Sequence, residues 1–254
     1  MNKLVVIIAD GLRAESCRMD MGYVQSLVKS GRARSTELQC ELPSLSRPLY
    51  ATLMTGLTPV EHGIVSNRTV ARSAGKTVFE LLHAQGRTSV VAAYHWFREL
   101  LDGKAFEPID RHRSLPEVGI VAAHWYFVDD YPDSHTFADA EAERLAHRPD
   151  LVWIHPMGPD NAGHRHGGFS AEYRYVCLGL DAMLALQVPV WHADGYDVLL
   201  TSDHGMHADR MHGGAREDET QVPVVWIPRQ DDRKPLPVEQ TGVRDFIFHH
   251  LLGS

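Results

Sequence analysis

At 254 residues the chain is long enough for one large domain with a substantial core. Its 44% hydrophobic and 23% charged residues are an ordinary globular balance. A net charge of −8 argues against a surface that coats nucleic acid, while leaving a local basic pocket open. Cys17, Cys40 and Cys177 lack CxxC spacing, which speaks against a disulfide scaffold and for a reducing compartment.

Leu4 to Ala9 is an uninterrupted aliphatic run, as a central strand covered on both faces requires, and it ends at Asp10-Gly11. It is too short for a signal peptide and meets Asp10 at once, and no apolar run reaches the length of a membrane span. The expectation is a cytoplasmic protein without a membrane partner. Met19 to Ser30 reads as a helix closed by Gly31, and Arg34 to Cys40 as a strand. Leu49 to Met54 is an apolar helical run ending at Thr55-Gly56, with Pro48 in its first turn, where a missing N–H costs nothing. Ser46 then falls at or just before a helix N-terminus, where free N–H groups favour an anion. Such a serine is usually a plain N-cap, and becomes a nucleophile only with a metal or a base beside it.

Val78 to Ala84 reads as a helix and Thr88 to Ala93 as a second buried strand. Residues 95–135 are less periodic and rich in aromatic residues, and read as a pocket-shaping insert or as irregular cover over the core. A helix over Phe137 to His147 precedes a third strand, Leu151 to His155, which runs into the Gly-rich PMGPDNAGHRHGG. A helix over Ala171 to Leu186, a fourth strand over Asp197 to Thr201, a fifth over Val222 to Ile227 and a terminal helix over Val243 to Leu252 complete the chain. Strands alternating with helices make the class α/β, in one domain over 1–254.

Acidic residues follow three of these strands: Asp10 the first, Asp160 the third, Asp203 the fourth. His164 accompanies Asp160, His204 follows Asp203, and His212 comes shortly after. Each taken alone reads as a turn, a cap or a loop histidine. Together, mixed Asp and His ligands at successive strand ends suit Zn²⁺ or a similar divalent ion. Two such sites a few ångströms apart would form a two-metal centre for phosphoryl transfer.

Asp10-Gly, Ser46-x-Pro, TGLTPVEHGIVSN, PDNAGHRHG, SDHGM and the final His212-Gly, in that order, resemble the alkaline phosphatase superfamily, and within it the nucleotide pyrophosphatase/phosphodiesterase branch. The resemblance implies an α/β/α sandwich with a mostly parallel central sheet. It also implies two divalent ions, Zn²⁺ first and Mn²⁺ as the alternative. Asp10, Ser46, Asp203 and His204 would hold one, with Ser46 as nucleophile, and Asp160, His164 and His212 the other. Asn67 would donate to a phosphoryl oxygen of a small phosphorylated substrate.

The chain departs from that branch in having serine where threonine is common, and Arg47, Leu49 and Tyr50 where Phe, Asn and His are usual. Arg47 is a candidate substrate contact or a partner for a surface carboxylate. His212 follows His204 closely, without the large inserts of bigger relatives. A metal-dependent hydrolase of phosphodiesters or nucleotide pyrophosphates, acting through a phosphoseryl intermediate, is the leading expectation. A phosphonate hydrolase, phosphomonoesterase or phosphomutase, and a non-catalytic metal-stabilised module, are the alternatives. A sulfatase is disfavoured because Leu49 and Tyr50 replace the formylglycine signature.

Overall fold

The computed structural model describes residues 2–253. β1 (Lys3–Ile8) is followed by α1 (Ala14–Asp20) and α2 (Gly22–Lys29), a pair where a single helix is expected. β2 (Arg34–Gln39), α3 (Ser46–Thr55), the single turn α4 (Pro59–His62) and α5 (Val78–His83) come next. β3 (Ser89–Tyr94), α6 (Trp96–Asp102), β4 (Ile120–Tyr126) and α7 (Asp133–His147) follow. The second half holds β5 (Leu151–Ile154), α8 (Gly158–His166), α9 (Ala171–Ala193), β6 (Tyr196–Thr201), α10 (Glu217–Thr220), β7 (Gln221–Ile227) and α11 (Gly242–Leu252).

The seven strands form one sheet in the order β2-β7-β6-β1-β5-β3-β4, in which β7 alone runs against its neighbours. β1 shows why its sequence reads as a continuous apolar run. Leu4, Val6 and Ile8 bury into the layer that includes residues of α3, α5, α6 and α11, while Val5 and Ile7 bury into the layer with α2, α7 and α9. Successive strand side chains alternate between faces, so a sheet covered on both sides needs apolar residues at every position. Each such side chain contributes roughly 1.5–3 kcal/mol on burial.

Three sequence expectations change. Residues 95–135 are not a separate insert, because Ile120–Tyr126 pairs in parallel with β3 and closes one sheet edge. The Gly-rich PMGPDNAGHRHGG is not all loop: Gly158–His166 is helical, with Pro159 in its first turn. α9, 23 residues long, is apolar and long enough to cross a bilayer by length and composition, although Arg174 and Asp181 break any purely apolar run. In the fold it packs Tyr173, Cys177, Leu180, Leu184, Val188 and Trp191 into the core.

Candidate active site

β6, β1 and β5 are neighbours, and the segments leaving their C-terminal ends bring Asp203, Asp10 and Asp160 together. This is where open α/β sheets carry their chemistry. The approach is very close. Asp160 N–H donates to the Asp10 carbonyl at 3.0 Å, and a Cβ on Gly11, whose φ is +67°, would lie 2.9 Å from the Asp160 Cα. Only glycine suits both that space and that backbone conformation.

Asp10, Asp203 and His204 are fully buried. His204 Nε2 lies 3.2 Å from Asp203 Oδ2, 3.4 Å from Asp10 Oδ1 and 3.0 Å from Ser46 Oγ. Ser46 is the first residue of α3, so its hydroxyl sits at a helix N-terminus, as the sequence suggests. A few ångströms away His164 Nε2, His212 Nε2 and Asp160 Oδ1 form a triangle with sides of 3.2, 3.4 and 3.6 Å. The His204 and His212 rings stack at 3.7 Å and join the two groups. All seven residues read as ligands from the sequence therefore meet in one place.

The imidazoles are oriented alike. His204 Nδ1 faces the Gly205 carbonyl at 2.8 Å, His164 Nδ1 the Arg210 carbonyl at 2.9 Å and His212 Nδ1 the Ser44 carbonyl at 2.7 Å. A carbonyl can only accept, so each Nδ1 carries the proton and each Nε2 presents a lone pair inward. Burial pushes His204 below the usual histidine range, and burial with the neighbouring His204 pushes His212 down to about 3. Two neutral imidazoles with Nε2 atoms 3.2 Å apart repel unless a cation lies between them. A Ser–His–Asp relay would need a carboxylate at His204 Nδ1, where a backbone carbonyl stands.

The carboxylates require positive charge as well. Asp10 Oδ1, Asp160 Oδ1 and Asp203 Oδ2 are buried without hydrogen-bond partners. Burial and the charge of Asp10 drive Asp160 and Asp203 well above the ordinary carboxylate range. Burial also raises Asp10, but the neighbouring His155 and His204 outweigh it and leave Asp10 low. Three clustered carboxyl groups cannot all ionise in a dry site without positive charge. The donor set, carboxylate oxygen with neutral imidazole nitrogen, fits two divalent cations: Asp10, Ser46, Asp203 and His204 for one, Asp160, His164 and His212 for the other.

Asn67 Oδ1 accepts from the Arg47 backbone N–H at 3.0 Å, satisfying one of the free donors of the α3 N-terminus and leaving the Asn67 NH₂ as the end that can donate. Arg47 does not behave as a free anion contact. It is 3% exposed, with Nη2 2.7 Å from Glu99 Oε2, Nη1 donating to the Thr69 carbonyl at 2.8 Å, and its guanidinium over the Trp96 ring. The carboxylate that takes it up comes from α6, 52 residues away in sequence, and is buried rather than at the surface.

The sequence leaves out the groups behind Asp10. Tyr50 donates to Asp10 Oδ2, and His155 Nε2 lies 3.3 Å from the same oxygen. Tyr126 hydroxyl sits 2.7 Å from His155 Nδ1. The backbone N–H of Gly11 donates to Asp203 Oδ1 at 3.2 Å, and Gln240 donates to the Asp203 carbonyl at 2.7 Å. The one signal available for these was a histidine ending an apolar strand, at Ile154-His155.

A family model described as type I phosphodiesterase / nucleotide pyrophosphatase matches residues 4–220. The human GPI ethanolamine phosphate transferase 2 catalytic subunit is 24% identical over 92% of this chain and 24% of its own length. Mouse ectonucleotide pyrophosphatase/phosphodiesterase family member 1 is 26% identical over 78% of this chain and 23% of its own. The chain thus spans about a quarter of the length of these curated relatives. Among solved structures, human ectonucleotide pyrophosphatase/phosphodiesterase 5 superposes with a TM-score of 0.73 at 12% identity, covering 99% of this chain and 95% of that one. The chain belongs to the type I phosphodiesterase / nucleotide pyrophosphatase family, in the alkaline phosphatase superfamily of two-metal phosphoric ester hydrolases and transferases.

Proposed function

We propose that this chain cleaves phosphoric diesters or nucleotide pyrophosphates by way of a phosphorylated Ser46. The observation that carries the reading is Ser46 Oγ at the N-terminus of α3, 3.0 Å from an inward-facing His204 Nε2 beside the Asp10 and Asp203 carboxylates. Two divalent cations bound there would ease loss of the Ser46 proton and offset the charge that develops on the phosphoryl oxygens. Zn²⁺ is favoured by the three imidazoles, with Mn²⁺ as the alternative.

Within this reading Ser46 Oγ attacks phosphorus, its proton leaves to solvent, the Ser46 O–P bond forms and the bond to the departing oxygen breaks. Asn67 NH₂ steadies a non-bridging oxygen as charge builds on it. Water then breaks the seryl ester and restores the hydroxyl. A transferase is the second reading, supported by the match to the human GPI ethanolamine phosphate transferase 2 catalytic subunit over 92% of this chain. It differs only in the second half, where an alcohol replaces water. A cytoplasmic location belongs to the same proposal and is supported by three buried, unpaired cysteines.

The test is turnover of bis-p-nitrophenyl phosphate, p-nitrophenyl phosphate, a p-nitrophenyl phosphonate ester and p-nitrophenyl sulfate. It is run with Zn²⁺ or Mn²⁺ added back to stripped protein, with and without ethanolamine or glycerol. Metal-dependent diester cleavage yielding free monoester supports the hydrolase. Capture of the phosphoryl group by the added alcohol in preference to water supports the transferase. Two bound metals with no turnover of any substrate would overturn both.

A further inference from the structure

A cavity of about 550 Å³ opens at the end of the sheet away from the catalytic cluster, where the start of β2 meets the segment after β7. β7 runs antiparallel to β6, so Ile227 pairs with Val198, and roughly 16 Å of extended chain separates that position from Asp203. The cavity is thus remote from the catalytic cluster, and a ligand could occupy it whatever reaction that cluster performs.

Arg32, Arg34, Arg229 and Arg233 line it, against Asp231 and Asp232. On a chain of net charge −8 this is a local excess of positive charge. Most of the charges are already matched: Arg229 with Asp197 at 3.2 Å, Arg233 with Asp231 at 3.2 Å, and Asp232 with Lys234 at 3.1 Å. Among the described residues neither Arg32 nor Arg34 has a carboxylate partner. Arg34 donates one amino group to the Lys234 carbonyl, while its Nε is buried with no acceptor. That Nε is enclosed and out of a ligand's reach, but the Arg34 Nη1 is not enclosed and has no hydrogen-bond partner among the described residues, which leaves it for an anion.

Two guanidinium groups two residues apart suit a ligand with several phosphate or carboxylate oxygens, which arginine binds through paired N–H bonds. His192, the one aromatic side chain in the lining, bonds to the Ile227 carbonyl, and burial pushes it below the usual histidine range. With no Phe, Tyr or Trp in the lining, the cavity offers no large aromatic face on which to stack a nucleobase. We propose that this cavity is a second anion site, taking a compact phosphate-bearing small molecule through Arg32 and Arg34.

The test is calorimetric titration of the metal-loaded full chain with inorganic phosphate, beside Arg32→Gln, Arg34→Gln and the double variant. The expected result is a phosphate site weakened at least tenfold by each single change and absent in the double variant, while hydrolysis of bis-p-nitrophenyl phosphate is unchanged. Arg32 is exposed, so Arg32→Gln alone keeps the test valid if Arg34→Gln impairs folding. Phosphate binding identical in wild type and Arg32→Gln, or binding lost only when Asp203 is changed to Asn, would overturn the proposal.

Discussion

The two groups of ligands differ in how they meet water. Asp10, Asp203 and His204 are completely enclosed, and the surrounding chain braces them through Tyr50, His155, Gln240 and the Gly11 N–H. In the other group Asp160 and the His212 side chain are buried, but the His164 side chain is 41% exposed. An enclosed set of carboxylates suffers a large desolvation penalty when no cation is present, and every ligand is fixed before a cation arrives. A group open on one side relaxes more cheaply and exchanges its ion with solvent. The enclosed group is thereby suited to hold an ion beside Ser46, and the open one to meet the incoming substrate and water.

The largest effect expected is from Ser46→Ala, which should lower kcat by at least about 10³-fold if Ser46 is the nucleophile. Metal content, measured by elemental analysis, should stay near wild type because carboxylates and imidazoles supply the remaining donors. Asp203→Asn is the sharper test of enclosure. It should cost a similar factor in kcat/KM, yet thermal denaturation should show the metal-free protein stabilised by about 1–3 kcal/mol, since one of three crowded carboxyl groups is gone. If the metal-free variant melts lower than wild type, crowding of the carboxylates is not what strains the enclosed site.

His164→Ala should be milder, with activity falling on the order of 10²-fold at low metal and recovering as Zn²⁺ or Mn²⁺ is raised. Failure to recover would mean the open group is as rigidly built as the enclosed one. Tyr50→Phe removes a single donor to Asp10 and should weaken the tighter of two resolved metal-binding steps about tenfold, in titration against a competing chelator.

The smallest effect on turnover is expected at His62, outside both groups. It is buried, its Nδ1 accepts from Ile64 N–H at 3.2 Å, and its Nε2 faces Thr52 Oγ1 at 3.1 Å. Burial lowers its pKa to about 4. The unfolded chain takes up a proton near pH 6.5 and the folded chain only near 4, so the contribution is intact above 6.5 and falls as the pH drops through that window. The loss reaches about 3 kcal/mol by pH 4. Denaturant titrations of His62→Gln should lack that portion of the pH dependence; a profile parallel to wild type would refute the assignment.

Much of the site was legible because its residues sit where strands end. Asp10 and Asp203 closely follow β1 and β6, and an apolar run that stops at an acidic residue marks such an end without knowledge of the fold. α8 was harder to see, since Gly158 and Gly163 lower helix propensity, yet helical spacing puts Asp160 and His164 on one face, four residues apart. β4 was obscured by its place at the sheet edge, where half-buried His124 and neighbouring polar segments interrupt the apolar pattern.

The amino-acid order by itself determined the α/β class and the central strand, because periodicity is a local property of the chain, and it marked Asp10, Asp160, His164, Asp203, His204 and His212 as candidate ligands, with Ser46 added by the family resemblance. Only the tertiary structure decided that Arg47 is held by Glu99, that Tyr50 and His155 brace Asp10, and that three histidines turn their Nε2 atoms inward. Each of those depends on a partner brought close by folding, and a hydrogen bond or ion pair exists only at the few ångströms that packing sets.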